Sequence, residues 1–315
     1  MQNARSLREY KTKGRKKMFA VEIKDLVRKF GHTEAVNGLN LTVEQGRCYG
    51  LFGRNGAGKT TTIKCLLNLL KPDKGFIRIL GLDPMKDEVG VKSQIAYVPE
   101  LVAFYPWMTV AGTLDYAASF RKHWNKSLEK DLLERFELDP GKKVTALSRG
   151  MKAQLSLLCA LCPEPPLLIL DEPTSGLDPI VRREFIQTVI GAFQEADPTN
   201  RTVFVSTHLI SEFEGLIDAF TIIEKGKNLL TLESDVAREK FKKIRMRFSG
   251  EPPEIREKEI LKITREGNEV EILSSSYSPD LQARMERLNP ESIKKENLTL
   301  EEIFIATARA KGDGK

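Results

Sequence analysis

Short apolar–polar alternations open the patterned part of the chain. Phe19-Ala20-Val21-Glu22-Ile23 and Leu39-Asn40-Leu41-Thr42-Val43 read as antiparallel strands within residues 18–52. Residues 47–52 predict a strand that runs into a glycine loop, and residues 59–70 a helix closed by Pro72. Residues 75–81 and 94–98 predict two further strands. From about 101 to 162 the spacing becomes helical, over 109–123, 127–136 and a third helix that begins after Ser148. Strand and helix then alternate: strands at 167–170, 202–206 and 219–224, helices at 179–195 and 209–216. That alternation predicts an α/β fold, a parallel sheet with helices on its faces. Residues 101–162 read as a helical insertion, and the opening segment as an antiparallel β subdomain.

Beyond about residue 232 the chain is more charged. Strands are predicted at 243–248, 260–264 and 269–273, with Arg265-Glu266-Gly267-Asn268 as a hairpin turn. Helices are predicted at 279–288 and 298–308, the latter capped by Asn297 or Thr299. The expected organisation is therefore a tail at 1–17, a main domain at 18–232 and a small α+β appendage at 233–315.

Charge sharpens this division. Residues 1–17 hold seven basic groups and one acid, which accounts for the whole net charge of +6, and the remaining residues carry equal numbers of each sign. The basic pI thus describes a tail, and no nucleic-acid partner is expected of the body. The tail reads either as a solvated leader or as a weak contact with an anionic membrane surface, at about 1 kcal/mol per basic residue. No apolar run approaches the roughly 18 residues of a membrane span. Cys48, Cys65, Cys159 and Cys162 suit a reducing compartment. Cys159 and Cys162 have C-x-x-C spacing, but no second pair completes a zinc site, so buried, unreactive thiols are expected.

Three motifs carry chemistry. Gly53-Arg54-Asn55-Gly56-Ala57-Gly58-Lys59-Thr60 fits G-x-x-x-x-G-K-[ST] between a predicted strand and helix. Glycines let backbone N–H groups wrap a phosphate, and the helix N-terminus adds its positive dipole end. Lys59 is placed to reach the β- and γ-phosphates of ATP, with Thr60, followed by Thr61, at the Mg²⁺ side. Such a match arises by chance in roughly one chain of this length in a hundred, from average glycine usage. Leu167-Leu168-Ile169-Leu170-Asp171-Glu172 ends a buried strand in two carboxylates that alternation points differently. Asp171 suits the Mg²⁺ shell, and Glu172 a general base for the attacking water. Leu147-Ser148-Arg149-Gly150-Met151-Lys152 is, by physics alone, a helix start with Ser148 as its cap.

In this order and spacing the motifs resemble the ABC ATPases over about residues 18–232. Ser148 and Gly150 match that family's signature. Ser175-Gly176-Leu177-Asp178 is similar to its D-loop, and His208 resembles its switch histidine. Phe30, ahead of Gly31 and Ala35-Val36, resembles the aromatic that stacks on adenine, though it also reads as a core phenylalanine. The resemblance implies a P-loop NTPase of ABC type that binds ATP and Mg²⁺ and hydrolyses ATP to drive transmembrane transport. It implies a homodimer or heterodimer with a second ABC ATPase, each ATP held between one chain's phosphate loop and the other's Ser148–Gly150 turn. It also implies a membrane permease as partner, and hence a cytoplasmic protein at the inner face of the membrane.

Five positions depart from the family pattern. Arg54 replaces a frequent proline, and Glu100 stands where a glutamine that touches Mg²⁺ is usual. Arg149 and Met151 replace glycine and glutamine, and Gln154 replaces arginine. Glu100, the signature and Leu298-Thr299-Leu300-Glu301-Glu302-Ile303-Phe304 resemble a bacterial drug, bacteriocin and antibiotic-resistance exporter branch whose permease is a separate chain. Two other readings compete: a soluble ABC ATPase acting on nucleic acid or ribosomes, and a small-molecule kinase. The second explains the phosphate loop but not Ser148, Asp178 or His208.

Overall fold

A computed structural model of the chain describes residues 18–195 and 201–312. The basic tail at 1–17 lies outside the described residues, and with it both readings of its role. Strand β1 (Phe19–Phe30) pairs antiparallel with β2 (Thr33–Glu44). After β3 (Cys48–Phe52) come helix α1 (Lys59–Leu66) and β4 (Lys74–Ile79), which pairs with β1 to complete a three-stranded sheet ordered β2-β1-β4. Helix α1 ends short of the expected residue 70. Asn68 turns into the left-handed region at φ 55°, and the amides of Leu69 and Leu70 turn back onto the Lys64 carbonyl. Helix α2 (Glu88–Gln94), which periodicity did not predict, precedes β5 (Ile95–Val98).

The insertion is helical as expected. It comprises α3 (Val110–Ser119), α4 (Lys126–Arg135), a short 3₁₀ turn at Val144–Ala146 and α5 (Arg149–Leu161). Side chains cap three of its helices: Thr109 for α3, Asn125 for α4 and Ser148 for α5 each accept from an amide three residues on. Then follow β6 (Leu167–Asp171), α6 (Pro179–Glu195), β7 (Thr202–Thr207), the short α7 (Ile210–Phe213), β8 (Ala219–Glu224) and β9 (Lys227–Glu233).

These strands form one sheet ordered β5-β6-β7-β3-β8-β9, parallel throughout except for the antiparallel β8–β9 hairpin. Both faces are covered, which is why β3 and β6 are buried at every position and apolar up to the terminal Asp171. Cys48, Phe52, Leu168 and Leu170 face the core shared with α5 and α6. Tyr49, Leu51, Leu167 and Ile169 face the core shared with α1 and the antiparallel sheet. The phosphate loop and Asp171 therefore lie at the same edge, the carboxyl ends of β3 and β6.

The remainder is α8 (Ser234–Lys240), β10 (Lys242–Arg247), β11 (Ile260–Glu266), β12 (Glu269–Ser274), α9 (Pro279–Glu286), β13 (Ser292–Asn297) and α10 (Leu300–Gly312). Its strands form an antiparallel sheet ordered β11-β12-β10-β13. A small core of its own contains Ile244, Met246, Val270, Ile272, Leu281 and Met285. Helix α10 goes elsewhere. Leu298, Leu300 and Ile303 are buried in the main core beside Phe213, Ile217 and Phe220, as are Ala237 and Phe241 of the α8 region. Thr299 and Glu302 start α10 with a capping box: Thr299 Oγ1 accepts from the Glu302 amide at 3.1 Å, and Glu302 Oε2 accepts from the Thr299 amide at 2.9 Å. The Leu300 amide also donates to Glu214 Oε1 at 3.0 Å, so a residue of the main domain helps to dock the helix. Truncation after 232 would remove these buried side chains from the main core itself.

Candidate functional site

The loop from Gly53 to Lys59 is shaped by glycines that cannot be replaced in place. Gly56 and Gly58 have φ of 80° and 107°, values an L-residue adopts only at a cost. A β-carbon on Gly58 would collide with the Ala35 carbonyl oxygen, and one on Gly53 would stand 2.7 Å from that of Ile223. Strand β2 and the β8–β9 hairpin therefore press directly on the loop. Gly226 in that hairpin completes the brace, donating to Ala57 O at 2.9 Å and accepting from Asn37 N at 2.8 Å. Nothing in local sequence pattern marks Gly226, because its role is a long-range contact.

Lys59 opens α1 and folds back over the loop, 5% exposed. Its Nζ donates to the carbonyls of Gly53 at 2.7 Å and Arg54 at 3.3 Å. Glu172 Oε1 lies 2.9 Å from Nζ but off the hydrogen-bonding direction, so charge attraction holds that pair. Helix α1 has no side-chain cap, leaving its first amides without the usual side-chain acceptor. A glycine cradle, a buried lysine and an uncapped helix start together fit a phosphate group. Arg54, Asn55 and Gly56 form the exposed rim, Ala57 is buried beneath, and Thr61 is half-buried on the first turn of α1.

The two carboxylates at the end of β6 diverge as alternation predicts. Asp171 Oδ1 accepts from Ser206 Oγ at 2.5 Å and from Thr60 Oγ1 at 3.2 Å. Burial raises its pKa above the ordinary aspartate value, against the opposing pull of those two hydroxyl bonds. A carboxylate and a hydroxyl converging beside a phosphate cradle are hard oxygen donors of the kind Mg²⁺ takes. Glu172 sits at φ 46°, a left-handed conformation that costs a non-glycine residue roughly 1–2 kcal/mol. Its amide donates to Ser206 O at 2.9 Å, fixing that bend. The bend aims one carboxylate oxygen at Lys59 and the other at His208, whose Nδ1 lies 2.8 Å from Oε2. His208 follows β7 directly, so parallel pairing of β6 and β7 brings the two residues together.

Other expected residues lie around this centre. Phe30 is 47% exposed at the tip of the β1–β2 hairpin, so it is not a core residue. Arg28 covers one face of its ring at 4.9 Å, and Asp73 and the Lys71 carbonyl hold that guanidinium. Glu100 is exposed on the loop after β5. With Arg149, Lys152 and Ser175 it lines a cleft of about 300 Å³. Tyr97, half-buried in β5, links Asp171 to Glu100. Burial first, then the carboxylates of Asp171 and Glu100, raise the pKa of its hydroxyl. Ser148 and Gly150 begin α5, where the Ser148 hydroxyl accepts from Met151 N at 3.2 Å. Gly150 packs on Val181, and an added β-carbon would stand 3.0 Å from Val181 Cγ1. Asp178 accepts from the amides of Ile180 and Val181, both at 3.1 Å, and so caps α6. Cys48, Cys65 and Cys162 are buried, whereas Cys159 is half-buried. Burial nevertheless pushes the thiols of Cys159 and Cys162 up to about 12, leaving them unreactive.

Comparison with known proteins identifies the family. The ABC transporter family profile matches residues 36–175. The bacitracin transport ATP-binding protein BcrA of Bacillus licheniformis is 38% identical over 71% of this chain and 72% of its own length. The Nod factor export ATP-binding protein I of Burkholderia lata is 36% identical over 66% of this chain and 69% of its own. A solved ATP binding subunit of an ABC transporter superimposes on 70% of this chain and 92% of its own, with 29% identity and a TM-score of 0.63. The chain belongs to the ATP-binding subunits of ABC transporters, ATPases whose turnover is coupled to transport.

Proposed function

We propose that this chain is the motor of an exporter whose membrane-spanning permease is a separate protein, and that it works as one of two cassettes closing on ATP. The chain of contacts from Lys59 through Glu172 to His208 carries the proposal. Lys59 neutralises Glu172 and is shared with two loop carbonyls. A triphosphate is a stronger partner for Lys59 than one carboxylate. Once Lys59 turns to it, Glu172 keeps His208 as its partner and acts as the base that polarises water. Mg²⁺, when bound between Thr60 and Asp171, supplies charge neutralisation at the phosphates. We assign Glu100, on the loop after β5, as the third oxygen donor; its support is that the Tyr97 hydroxyl feels both the Glu100 carboxylate and that of Asp171. Phe30 offers its uncovered face to adenine.

The two-cassette arrangement rests on where Ser148 and Asp178 stand. Both are exposed, and both are followed by the amides of a helix start. A γ-phosphate seated on a partner's loop against the Ser148 turn would be held from two chains while it remains attached. Charge-assisted hydrogen bonds contribute roughly 1.5–3 kcal/mol each, so loss of a few releases the contact. The permease assignment has two supports. Among the described residues no helix is long and apolar enough to cross a membrane. The insertion also exposes a ladder of aromatic rings, Trp107, Tyr105, Tyr116 and Phe120, with centroids 4.9, 5.6 and 5.0 Å apart in turn. Export follows the relatives named for bacitracin transport and Nod factor export. The decisive variant is Glu172→Gln. ATP binding should survive while turnover falls on the order of 10²–10⁴-fold. Undiminished turnover would remove Glu172 from the role of base.

A further inference from the structure

Arg149, a departure from the family pattern, joins the signature turn to the loop after β6 within one chain. It is the first residue of α5, directly after the Ser148 cap. A cation there opposes the helix macrodipole, so the position needs a local acceptor. That acceptor is the Ser175 carbonyl, which takes a hydrogen bond from Arg149 Nη2 at 2.7 Å. The guanidinium also lies against Gly176. A β-carbon on that glycine would stand 2.5 Å from Cζ and Nη1, and its φ of 67° favours glycine independently. The same loop is tied back to the catalytic centre. Ser175 N donates to Glu172 O at 3.1 Å, and Leu177 N to Thr174 O at 3.2 Å.

We propose that Arg149 is a positioning residue that clasps residues 175–178 to the signature turn, so that Ser148 and Asp178 meet a partner cassette as one edge. Its consequence for turnover rests on the two-cassette reading above; the clasp itself does not. Through Ser175 the clasp also steadies the bend at Glu172. A neutral side chain of similar length removes the donor and keeps the bulk. Lysine restores one donor without the flat face that covers Gly176.

The test uses the full chain and the variants Arg149→Met and Arg149→Lys, whose exposed position leaves the core untouched. Hydrogen exchange without nucleotide reads the clasp, with the bonded amides of Ser175 and Leu177 as reporters. In Arg149→Met these should exchange roughly 5–10-fold faster, and Arg149→Lys should fall between. Steady-state turnover reads the consequence: kcat falls by a similar factor and cooperativity in ATP is lost, while KM changes little. Unchanged exchange in Arg149→Met overturns the clasp. Faster exchange with unchanged kcat and cooperativity overturns its positioning role. Absence of ATP-dependent association in every variant and in the parent chain would instead sink the two-cassette reading, and the exchange data would still decide the clasp.

Discussion

Replacing Ile303 by alanine should destabilise the ATP-binding domain itself. Ile303 is on α10, far along the chain from every nucleotide motif, yet it is fully buried among Phe213, Ile217 and Phe220. Phe213 and Ile217 belong to the segment between β7 and β8, and Phe220 to β8 itself; these two strands lie on either side of β3. Removing a buried aliphatic side chain of this size costs about 2–5 kcal/mol, the transfer free energy plus that of the cavity left behind. In a domain of this size each kcal/mol lowers Tm by roughly 2–4 °C, so a fall of roughly 4–20 °C is expected. Thermal unfolding with and without Mg·ATP is the assay. At about 100 times its Kd, a ligand raises stability by about 2.7 kcal/mol, which marks the transition of the domain that binds it. Ile303→Ala should lower that ligand-sensitive transition. Met285→Ala, in the separate small core around β10 and β12, serves as the comparison and should disturb the nucleotide response less. If Ile303→Ala leaves the ATP-sensitive transition unmoved, α10 does not belong to the ATPase core.

Two further outcomes are expected. Phe30→Ala should raise KM for ATP about 5–10-fold with kcat nearly unchanged, and Phe30→Trp should keep KM near the parent value, since base–aromatic stacking is worth roughly 1–3 kcal/mol; an unaltered KM in Phe30→Ala would count against adenine stacking. Asp171→Asn should abolish turnover yet stabilise the nucleotide-free fold. Because burial raises the Asp171 pKa in the folded state, its ionisation opposes folding increasingly as pH rises above the ordinary aspartate range. The Tm advantage of the asparagine variant should therefore widen as pH rises from the ordinary aspartate value, about 4, through the raised value of the folded state, and level off above it; a narrowing difference over that rise would contradict the sign.

What the sequence discloses depends on whether a signal is local. The phosphate loop, the apolar β6 strand ending in Asp171 and Glu172, and the Ser148 cap each occupy a few consecutive residues with their own chemistry. They can be read without a fold. The alternation of β6, α6 and β7 sets the parallel pairing and hence the meeting of His208 with Glu172. Strand β13 shows the opposite case. Ser-Ile-Lys-Lys-Glu-Asn is polar and almost wholly exposed, so it carries no alternation; it is a strand because its backbone pairs with β10. The seven-residue α2, broken in composition by Gly90, is too short for periodicity to register. Gly226 and Arg149 were invisible as site elements because their partners are distant in sequence. The burial of α10 was missed for the same reason: its apolar face predicts a helix but not which core receives it.

The central claim is that a triphosphate is gripped by the Lys59 loop of one chain and the Ser148 turn of another. Spin labels at Ala146→Cys, two residues before the Ser148 turn, and at Asn55→Cys, both exposed positions, measured on a mixture of the two singly labelled chains carrying Glu172→Gln, test it most directly. The account predicts a short inter-chain distance, within about two nanometres, with Mg·ATP and its loss with ADP, since two loops that share one phosphate lie within a few side-chain lengths. A pair of labels that stays far apart in the presence of ATP would contradict it.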